Sequence, residues 1–276
     1  YIAAEALHIA LVPLLVFGWG SVPALGITGA GLATVLSFCA SSAALAVYLA
    51  SGRTAITLSF GAARFQRRQF AEILQVGAPM SLAPVLNNAA LAALTTYTGV
   101  LGATSLAAFG AAVRLEYLLY PLNFSMGAAV LAMMGSNIGA RQFDRAGRIA
   151  WIALGIAACF MSAVSLLAIA APGLWMGLFS NDPKILAAGA AYLAIVGLAY
   201  PFVAGTLLNS AFQSTRQPQW PLTAMTCRLA VVLLGGWIAV ELLQSGLIGI
   251  AVVTGLGLLT MGGVLIGAFR LFAKLG

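Results

Sequence analysis

The amino-acid sequence predicts an all-α fold, a polytopic transmembrane helical bundle. Of its 276 residues, 62% are hydrophobic and only 7% are charged, with a mean hydropathy of +1.04. Charged residues make up about a quarter of a soluble domain, so a membrane is the expected medium. One crossing needs about 20 apolar residues, which leaves room for roughly eight to ten crossings. Eight apolar runs are visible, at residues 2–17, 29–50, 73–101, 105–135, 149–171, 184–212, 221–240 and 247–271.

The distribution of basic residues supports this order of crossings. Lys and Arg collect in the cytoplasmic connections of membrane proteins. Alternate connections and the C-terminal end hold Arg53, Arg64, Arg67, Arg68, Arg141, Arg145, Arg148, Arg216, Arg270 and Lys274. The opposite connections hold Lys184 alone, while Arg114 and Arg228 fall inside runs. Both ends are therefore predicted on the cytoplasmic side of the cell (inner) membrane, and the net charge of +7 requires no nucleic-acid partner.

The second run opens with a segment that recurs near the end of the chain. "GITGAGLAT" (26–34) resembles "GLIGIAVVT" (246–254), which opens the eighth run. The matching positions are Gly26 and Gly246, Gly29 and Gly249, and Thr34 and Thr254, at a constant offset of 220. Chance similarity is common in helices rich in Gly and Ala, but both copies belong to helix pairs that start on the cytoplasmic side, as parallel repeats require.

A parallel repeat predicts the domain organisation. Residues 1–51 would be the last two helices of an N-terminal bundle, 52–72 a cytoplasmic linker, and 73–276 a C-terminal bundle of six helices. The expected natural chain then has twelve spans, with roughly four before Tyr1. The basic linker contains Phe60, Phe65 and Phe70. It is predicted either to lie along the membrane surface as an amphipathic helix or to be a solvated loop.

The sixth run has a clear start signal. In "SNDPK", Asp182 is placed as an N-cap and Pro183 as the first helical residue, which is typical of a helix N-terminus. This motif predicts structure and no chemistry.

Several segments resemble the multidrug and toxic compound extrusion (MATE) transporters. "GAPMSLAPVLNNAALAA", "LAAFGAAVRLEYLLYPLNFSMGAAV" and "MGSNIGARQFDRAGR" are similar to that family's seventh and eighth helices and the following loop. "LHIALVPLLVFGWGSVPALGITGAGLAT" and "NSAFQSTRQPQWP" resemble its fifth-to-sixth and tenth-to-eleventh connections. The resemblance implies two six-helix bundles and antiport of organic, often cationic, compounds against protons or sodium by alternating access. No other cofactor is implied.

The sequence also departs from one branch of that family. Many members carry a glutamate eight residues after the proline that matches Pro79, where this chain has Asn87. That branch also uses an acidic residue in its tenth helix, and the matching sixth run of this chain contains no Asp or Glu in its span. His8 and Val12 replace the usual Asn and Asp of the family's fifth helix. The ion site of that branch is therefore not reproduced.

The fourth run carries two charges near the middle of the membrane. Arg114 and Glu116 stand about 14–17 Å from the end of the run at 1.5 Å per residue, and charges at this depth are costly. Residues two apart point to nearly opposite faces, so each needs a partner or water elsewhere. Glu116, Tyr120 and Asn123 share one face with Gly127, and this polar strip is predicted to line a cavity. A transport role and a structural charge network both remain open.

Other candidates are weaker. Asn87 and Asn88 would line the cavity or hydrogen-bond to neighbouring helices, and the same choice applies to His8. The aromatic rings of Tyr117, Tyr120 and Phe124 would contact flat cations or simply pack. The sequence has no phosphate loop, HExxH motif, nucleophile elbow or cysteine pair of zinc spacing, so no enzyme activity is expected.

Three functions follow from these observations. The favoured one is a gradient-driven exporter of small organic, cationic compounds, with membrane lipid around it and no nucleic-acid partner. A lipid or glycolipid flippase of the same superfamily would need a more basic cavity. A non-transporting membrane scaffold would not need the polar strip.

Overall fold

The computed structural model describes residues 2–18, 23–52 and 66–275, and every regular element in those ranges is helical. The chain divides into two compact units, Tyr1–Gln66 and Arg67–Gly276. The division falls inside the segment predicted as a linker. Residues 53–65, which hold most of that linker, lie outside the described residues, and the amphipathic-helix hypothesis for them stays a prediction.

The first unit consists of two helices, α1 (Ile2–Phe17) and α2 (Gly26–Ala50). Their backbones touch: a Cβ atom on Gly29 would overlap the carbonyl group of Leu15. The amide of Leu25 also donates a hydrogen bond to the oxygen of that carbonyl at 3.0 Å. Glycine is required at this crossing because no other residue lets two helix backbones approach so closely.

The second unit contains the remaining helices, most of which extend beyond the apolar runs. Its elements are α3 (Arg67–Val100), α4 (Ala103–Gly139), α5 (Phe143–Ala170), α6 (Pro172–Met176), α7 (Pro183–Gly197), α8 (Tyr200–Val203), a 3₁₀ turn (Ala204–Leu207), α9 (Leu208–Ser214), α10 (Gln219–Trp237), a π-helical turn (Ile238–Leu242) and α11 (Gly246–Leu275). The predicted start of the sixth run is confirmed, since Asp182 Oδ1 accepts from the amide of Lys184 at 2.8 Å.

The expectation of one regular helix over 184–212 is wrong. The chain bends by 57° between Pro183–Gly197 and Tyr200–Ser214. Pro201 has no amide hydrogen to donate, and the 3₁₀ turn that follows interrupts regular α-helical bonding. Inside a membrane the freed carbonyls need donors from protein. Ser165 Oγ on α5 donates to the carbonyl of Gly197 at 2.7 Å and supplies one of them.

The predicted count of eight spans is not confirmed. Among the described residues, five helices are long and apolar enough to cross a membrane: α2, α4, α5, α10 with its π-helical turn, and α11. The bent α7–α9 segment would make six. Helix α1 is shorter, and α3 is not among the five. Asn87 and Asn88, in the middle of α3, lower its hydropathy, so composition alone does not assign it to the membrane.

The two copies of the repeated segment adopt the same local structure. Gly26 and Gly246 each begin a helix with positive φ, 56° and 64°, a conformation that glycine adopts without steric cost. The preceding residue, Leu25 or Ser245, donates its amide to a carbonyl of the helix before, at 3.0 Å in both copies. Its own carbonyl accepts from the amide four residues later, at 3.4 Å in both. This agreement supports the internal repeat.

The bent segment packs closely against α11 through glycines. A Cβ atom on Gly205 would lie 2.9 Å from the Cα atom of Gly262, and a Cβ atom on Gly262 would overlap the carbonyl oxygen of Phe202. Backbone meets backbone here, so neither side can yield by changing a rotamer. The neighbouring Gly263 is exposed, with no atom within 4 Å of its Cβ position.

We therefore expect Gly262→Ala and Gly263→Ala to have opposite effects on stability. Gly262→Ala forces two backbones apart and should lower the free energy of unfolding by about 1–3 kcal/mol. Gly263→Ala should be neutral or slightly stabilising, because alanine favours the helix by about 1 kcal/mol. Thermal unfolding of the purified full-length protein in detergent measures both. Equal melting temperatures for the two variants would contradict the close crossing.

Candidate functional site

A buried arginine lies at the centre of the second unit. Arg228 on α10 is only 2% exposed. Its Nη1 donates to the hydroxyl of Tyr120 on α4 at 2.8 Å and to Oδ1 of Asn87 on α3. Gly257 on α11 leaves room for the side chain, since a Cβ atom there would already lie 3.4 Å from Arg228 Cγ. Four helices thus enclose one positive charge.

The counter-charge comes from Glu116, one turn before Tyr120 on α4. Glu116 is 4% exposed, and its Oε2 lies 4.0 Å from Arg228 Nη2. This is an ion pair too long for a hydrogen bond. Asn87, Glu116, Tyr120 and Arg228 are together called the buried polar cluster. Its two charged members are buried, Asn87 and Tyr120 are half-buried, and its formal charge is zero. The prediction that Glu116 needs a partner from another helix is confirmed.

The buried polar cluster is incompletely satisfied. Glu116 Oε1 and Arg228 Nε have no hydrogen-bond partner among the described residues. The hydroxyl of Tyr200, on the bent segment, is likewise buried and has no partner among the described residues. An unpaired buried polar atom costs about 1–3 kcal/mol, more if charged. The cluster therefore has unused capacity to bind a proton, a cation or water.

Packing of α3 against α10 holds Asn87 near Arg228. Tyr97 on α3 donates its hydroxyl to the carbonyl of Leu233 at 2.9 Å. Its ring occupies the space where a Cβ atom on Gly236 would lie. The two helices are therefore joined at two levels. At Tyr97 they share a glycine contact and a hydrogen bond, and ten residues earlier they share the Asn87–Arg228 hydrogen bond.

The C-terminal part of the predicted polar strip, Asn123 and Gly127, is packed against the bent segment. Asn123 is 2% exposed, and its Nδ2 donates to the carbonyl of Val203 at 2.7 Å and to Thr206 Oγ1 at 2.8 Å. A Cβ atom on Gly127 would lie 2.6 Å from Ser210 Oγ. The expectation that this part lines a cavity is wrong, because the bent segment fills the space. Asn123 and Thr206 Oγ1 both donate to the carbonyl of Val203, where regular helical bonding is interrupted.

Arg114 lies apart from the buried polar cluster. It is exposed, and its Cζ stands 4.9 Å from the centroid of the Phe179 ring. Its position two residues before Glu116 turns it to another face of α4, as helical geometry requires. The structure therefore does not bring Arg114 and Glu116 into one site. A transport role for Arg114 stays a prediction.

The other predicted residues have varied surroundings. Asn88 is exposed although its neighbour Asn87 is in the buried polar cluster. Tyr117 and Phe124 are also exposed, at 50% and 80%, whereas Tyr120 is in the cluster. His8 is half-buried on α1, in the other unit. Among the described residues, no group of three or more His, Cys, Asp or Glu could hold a metal ion.

The sequence reasoning missed the role of Arg228. It placed this residue inside an apolar run but assigned it to no site. The signal was present, because an ionisable residue inside a membrane span is by default a functional candidate. Three residues of the cluster were predicted individually, namely Asn87, Glu116 and Tyr120, but the residue that brings them together was not.

The fold and the site define a helical membrane protein with a neutral, buried charge cluster in its larger unit. Residues 79–238, more than half of the chain, match the family model described as MatE. The chain therefore belongs to the MatE family of membrane transporters, and the resemblance seen in the sequence is confirmed.

Individual relatives agree with this membership. The probable multidrug resistance protein NorM of Neisseria meningitidis is 30% identical over 205 residues, covering 72% of this chain and 44% of the relative. The FAD transporter of Shewanella oneidensis is 28% identical over 234 residues, covering 84% of this chain and 51% of the relative. The chain thus spans about half the length of the curated relatives it matches.

Solved structures confirm the fold. An outward-facing multidrug resistance MATE transporter of the MOP superfamily superposes with a TM-score of 0.88 at 22% identity, covering 99% of this chain and 61% of that one. A MOP superfamily transporter from Pyrococcus furiosus, whose binding pocket is described as having reverse polarity, gives a TM-score of 0.88 at 21% identity, covering 98% and 61%. The all-α bundle predicted from the sequence is the MATE transporter fold.

Replacing Arg228 should destabilise the protein far more than replacing Arg114. Arg228→Met leaves Glu116 buried without a counter-charge, which typically costs about 3–5 kcal/mol. Arg114→Met removes only an exposed contact with Phe179, and its effect should be about 1 kcal/mol or less. Thermal unfolding of the full-length protein compares them.

A double-mutant cycle isolates the ion pair. Adding Glu116→Gln to Arg228→Met should recover part of the lost stability, because the remaining side chain is then neutral. Additive effects of the two substitutions would show that Glu116 and Arg228 do not interact.

Proposed function

We propose that this chain forms part of a secondary active exporter of small organic compounds, driven by a proton or sodium gradient. Family membership and the NorM relative, whose name describes multidrug resistance, support this proposal. Transport would proceed by rocker-switch alternating access of two bundles, as parallel-repeat transporters work. We place the protein in the cell (inner) membrane, with the arginine-rich connections on the cytoplasmic side.

The observation that carries the proposal is the unsatisfied carboxylate of Glu116. Its Oε1 has no hydrogen-bond partner among the described residues, and its Oε2 is 4.0 Å from Arg228. A proton or a sodium ion on this carboxylate would weaken the attraction to Arg228. Arg228 would still be held by Tyr120 and Asn87. Loading of the coupling ion would thereby change how tightly α4 is held to α10.

Such a change couples ion and substrate. A ligand shifts a conformational equilibrium only when it binds the two states with different affinities. Glu116 can attract Arg228, the coupling ion or a cationic substrate, and these compete for one carboxylate. Asn87 and Tyr120 keep Arg228 in place when Glu116 is occupied by another cation. Asn123 donates to the bent segment, which also carries Tyr200, whose buried hydroxyl has no partner among the described residues.

A flippase of the same superfamily is the second candidate. Its anionic lipid headgroup would call for excess positive charge in the cavity. The buried polar cluster instead pairs one arginine with one glutamate, and Arg114 is exposed elsewhere on α4. This balance favours the exporter.

The first test is efflux of a fluorescent cationic dye from vesicles that contain the full-length protein. Wild type should export the dye when a proton or sodium gradient is imposed. Glu116→Gln keeps the size of the side chain but cannot take part in the ion exchange, and its efflux rate should fall at least about ten-fold. Rates are compared at equal protein abundance in the vesicles.

Glu72→Gln is the matched control. Glu72 is exposed near the start of α3, and among the described residues it forms an ion pair with Arg68 alone, one turn away, at 3.3 Å, so its replacement should leave efflux unchanged. Wild-type efflux by Glu116→Gln would assign the buried polar cluster to structure alone. Absence of dye efflux in wild type under either gradient would favour the flippase or the scaffold.

A further inference from the structure

A groove with an apolar floor lies where α4 ends and α5 begins. Its volume is about 590 Å³. Ile138 on α4, Trp151 on α5 and Phe269 on α11 form the floor, with Met134 below them. The ring of Trp151 packs edge-on against Phe269, with centroids 5.4 Å apart. Three helices and the end of α9, at Thr215, thus meet around one apolar space.

The rim of this groove is basic. A second depression of about 400 Å³ adjoins it and shares Phe143, Asp144 and Arg148 with it. The charged residues that line the two depressions are Arg141, Asp144, Arg145 and Arg148. With three arginines and one carboxylate, the lining carries an excess of positive charge. A fourth, Arg270, extends over the face of Trp151, with Cζ 5.8 Å from the ring centroid.

We expect the groove to lie at the depth where lipid headgroups meet acyl chains. The turn at Arg141 and Gln142 joins two helices long enough to span the bilayer, so it stands at the membrane surface. Trp151 is about two turns into α5 and therefore near the expected membrane–water interface, where tryptophan is enriched in membrane proteins. An occupant would place an anionic group among the arginines and an apolar chain on the floor below them.

We propose that this groove binds an anionic phospholipid, with its phosphate at Arg141, Arg145 and Arg148 and an acyl chain against Ile138, Trp151 and Phe269. Charge complementarity points to this occupant: the rim carries excess positive charge and the floor is apolar. Basic pockets between transmembrane helices on the arginine-rich side are typical sites for such headgroups. The proposal is independent of the exporter function.

The bound lipid would join the ends of three helices. Its acyl chain would contact α4, α5 and α11 together, and its phosphate would offset the repulsion among the three arginines. The groove is open because α5 has Gly147 there, and nothing lies within 4 Å of the Cβ position of this residue. A large side chain at this position would occupy the floor without meeting the backbone of another helix.

The experiment titrates the full-length protein in detergent with phosphatidylglycerol and with phosphatidylcholine of the same acyl chains, counting bound lipids by native mass spectrometry. Wild type should bind phosphatidylglycerol at least about ten-fold more tightly, because each basic residue near an anionic lipid contributes to the attraction. Arg145→Gln with Arg148→Gln should remove about ten-fold or more of this affinity. Inorganic phosphate is tested as a competitor and should be ineffective.

Two matched variants separate the groove from general effects. Gly147→Phe fills the groove and should abolish the preference. Gly155→Phe should not, because Gly155 lies about two turns further along α5, is exposed, and likewise has no atom within 4 Å of its Cβ position. Arg67→Gln with Arg68→Gln removes two arginines that do not line the groove and should keep wild-type binding. Size-exclusion profiles establish that each variant is folded.

Each contrary result overturns the proposal. Equal binding of the two lipids would exclude headgroup recognition. Displacement of phosphatidylglycerol by millimolar inorganic phosphate would identify a soluble-anion site. Unchanged affinity in both the Arg145–Arg148 double variant and Gly147→Phe would place bound lipid elsewhere on the protein.

Discussion

A single buried charge organises the larger unit of this protein. Arg228 cannot be left unpaired inside a membrane bundle, because a charge without a partner in an apolar medium is costly. Its partners come from separate helices, with Asn87 on α3 and Glu116 and Tyr120 on α4. The glycine at 257 lets α11 approach the same side chain. Satisfying one guanidinium group therefore sets how four helices meet.

The same rule governs the backbone. A helix that bends within a membrane exposes carbonyls that no water can satisfy. The bend between α7 and α9 is accommodated because Ser165 and Asn123, from two neighbouring helices, donate to Gly197 and Val203. Glycine contacts between the bent segment and α11 complete the packing. The polar residues of α4 therefore have two structural roles. Glu116 and Tyr120 contact the guanidinium group of Arg228, and Asn123 hydrogen-bonds to the backbone of the bent segment.

Much of this was predictable from sequence for local reasons. Composition alone indicates the membrane, and helical periodicity places Glu116, Tyr120 and Asn123 on one face of α4. The similarity of the segments at Gly26 and Gly246 predicted two matching helix starts, and the structure shows that both glycines have a positive φ. The bend was not predictable, because Pro201 inside the apolar run 184–212 is equally compatible with a kinked but continuous helix. The partner of Glu116 was not predictable either, since 112 residues separate Glu116 from Arg228.

The sequence by itself determined the medium, the order of the apolar runs and the face of α4 that carries polar groups, since these depend on hydropathy and on spacing along one helix. Tertiary structure decided which charges meet. Arg114 and Arg228 look alike in sequence, each a lone arginine in an apolar run. Packing turns Arg114 outward against Phe179 and buries Arg228 beside Glu116. That difference depends on which helices are neighbours, and long-range packing is the only source of this information.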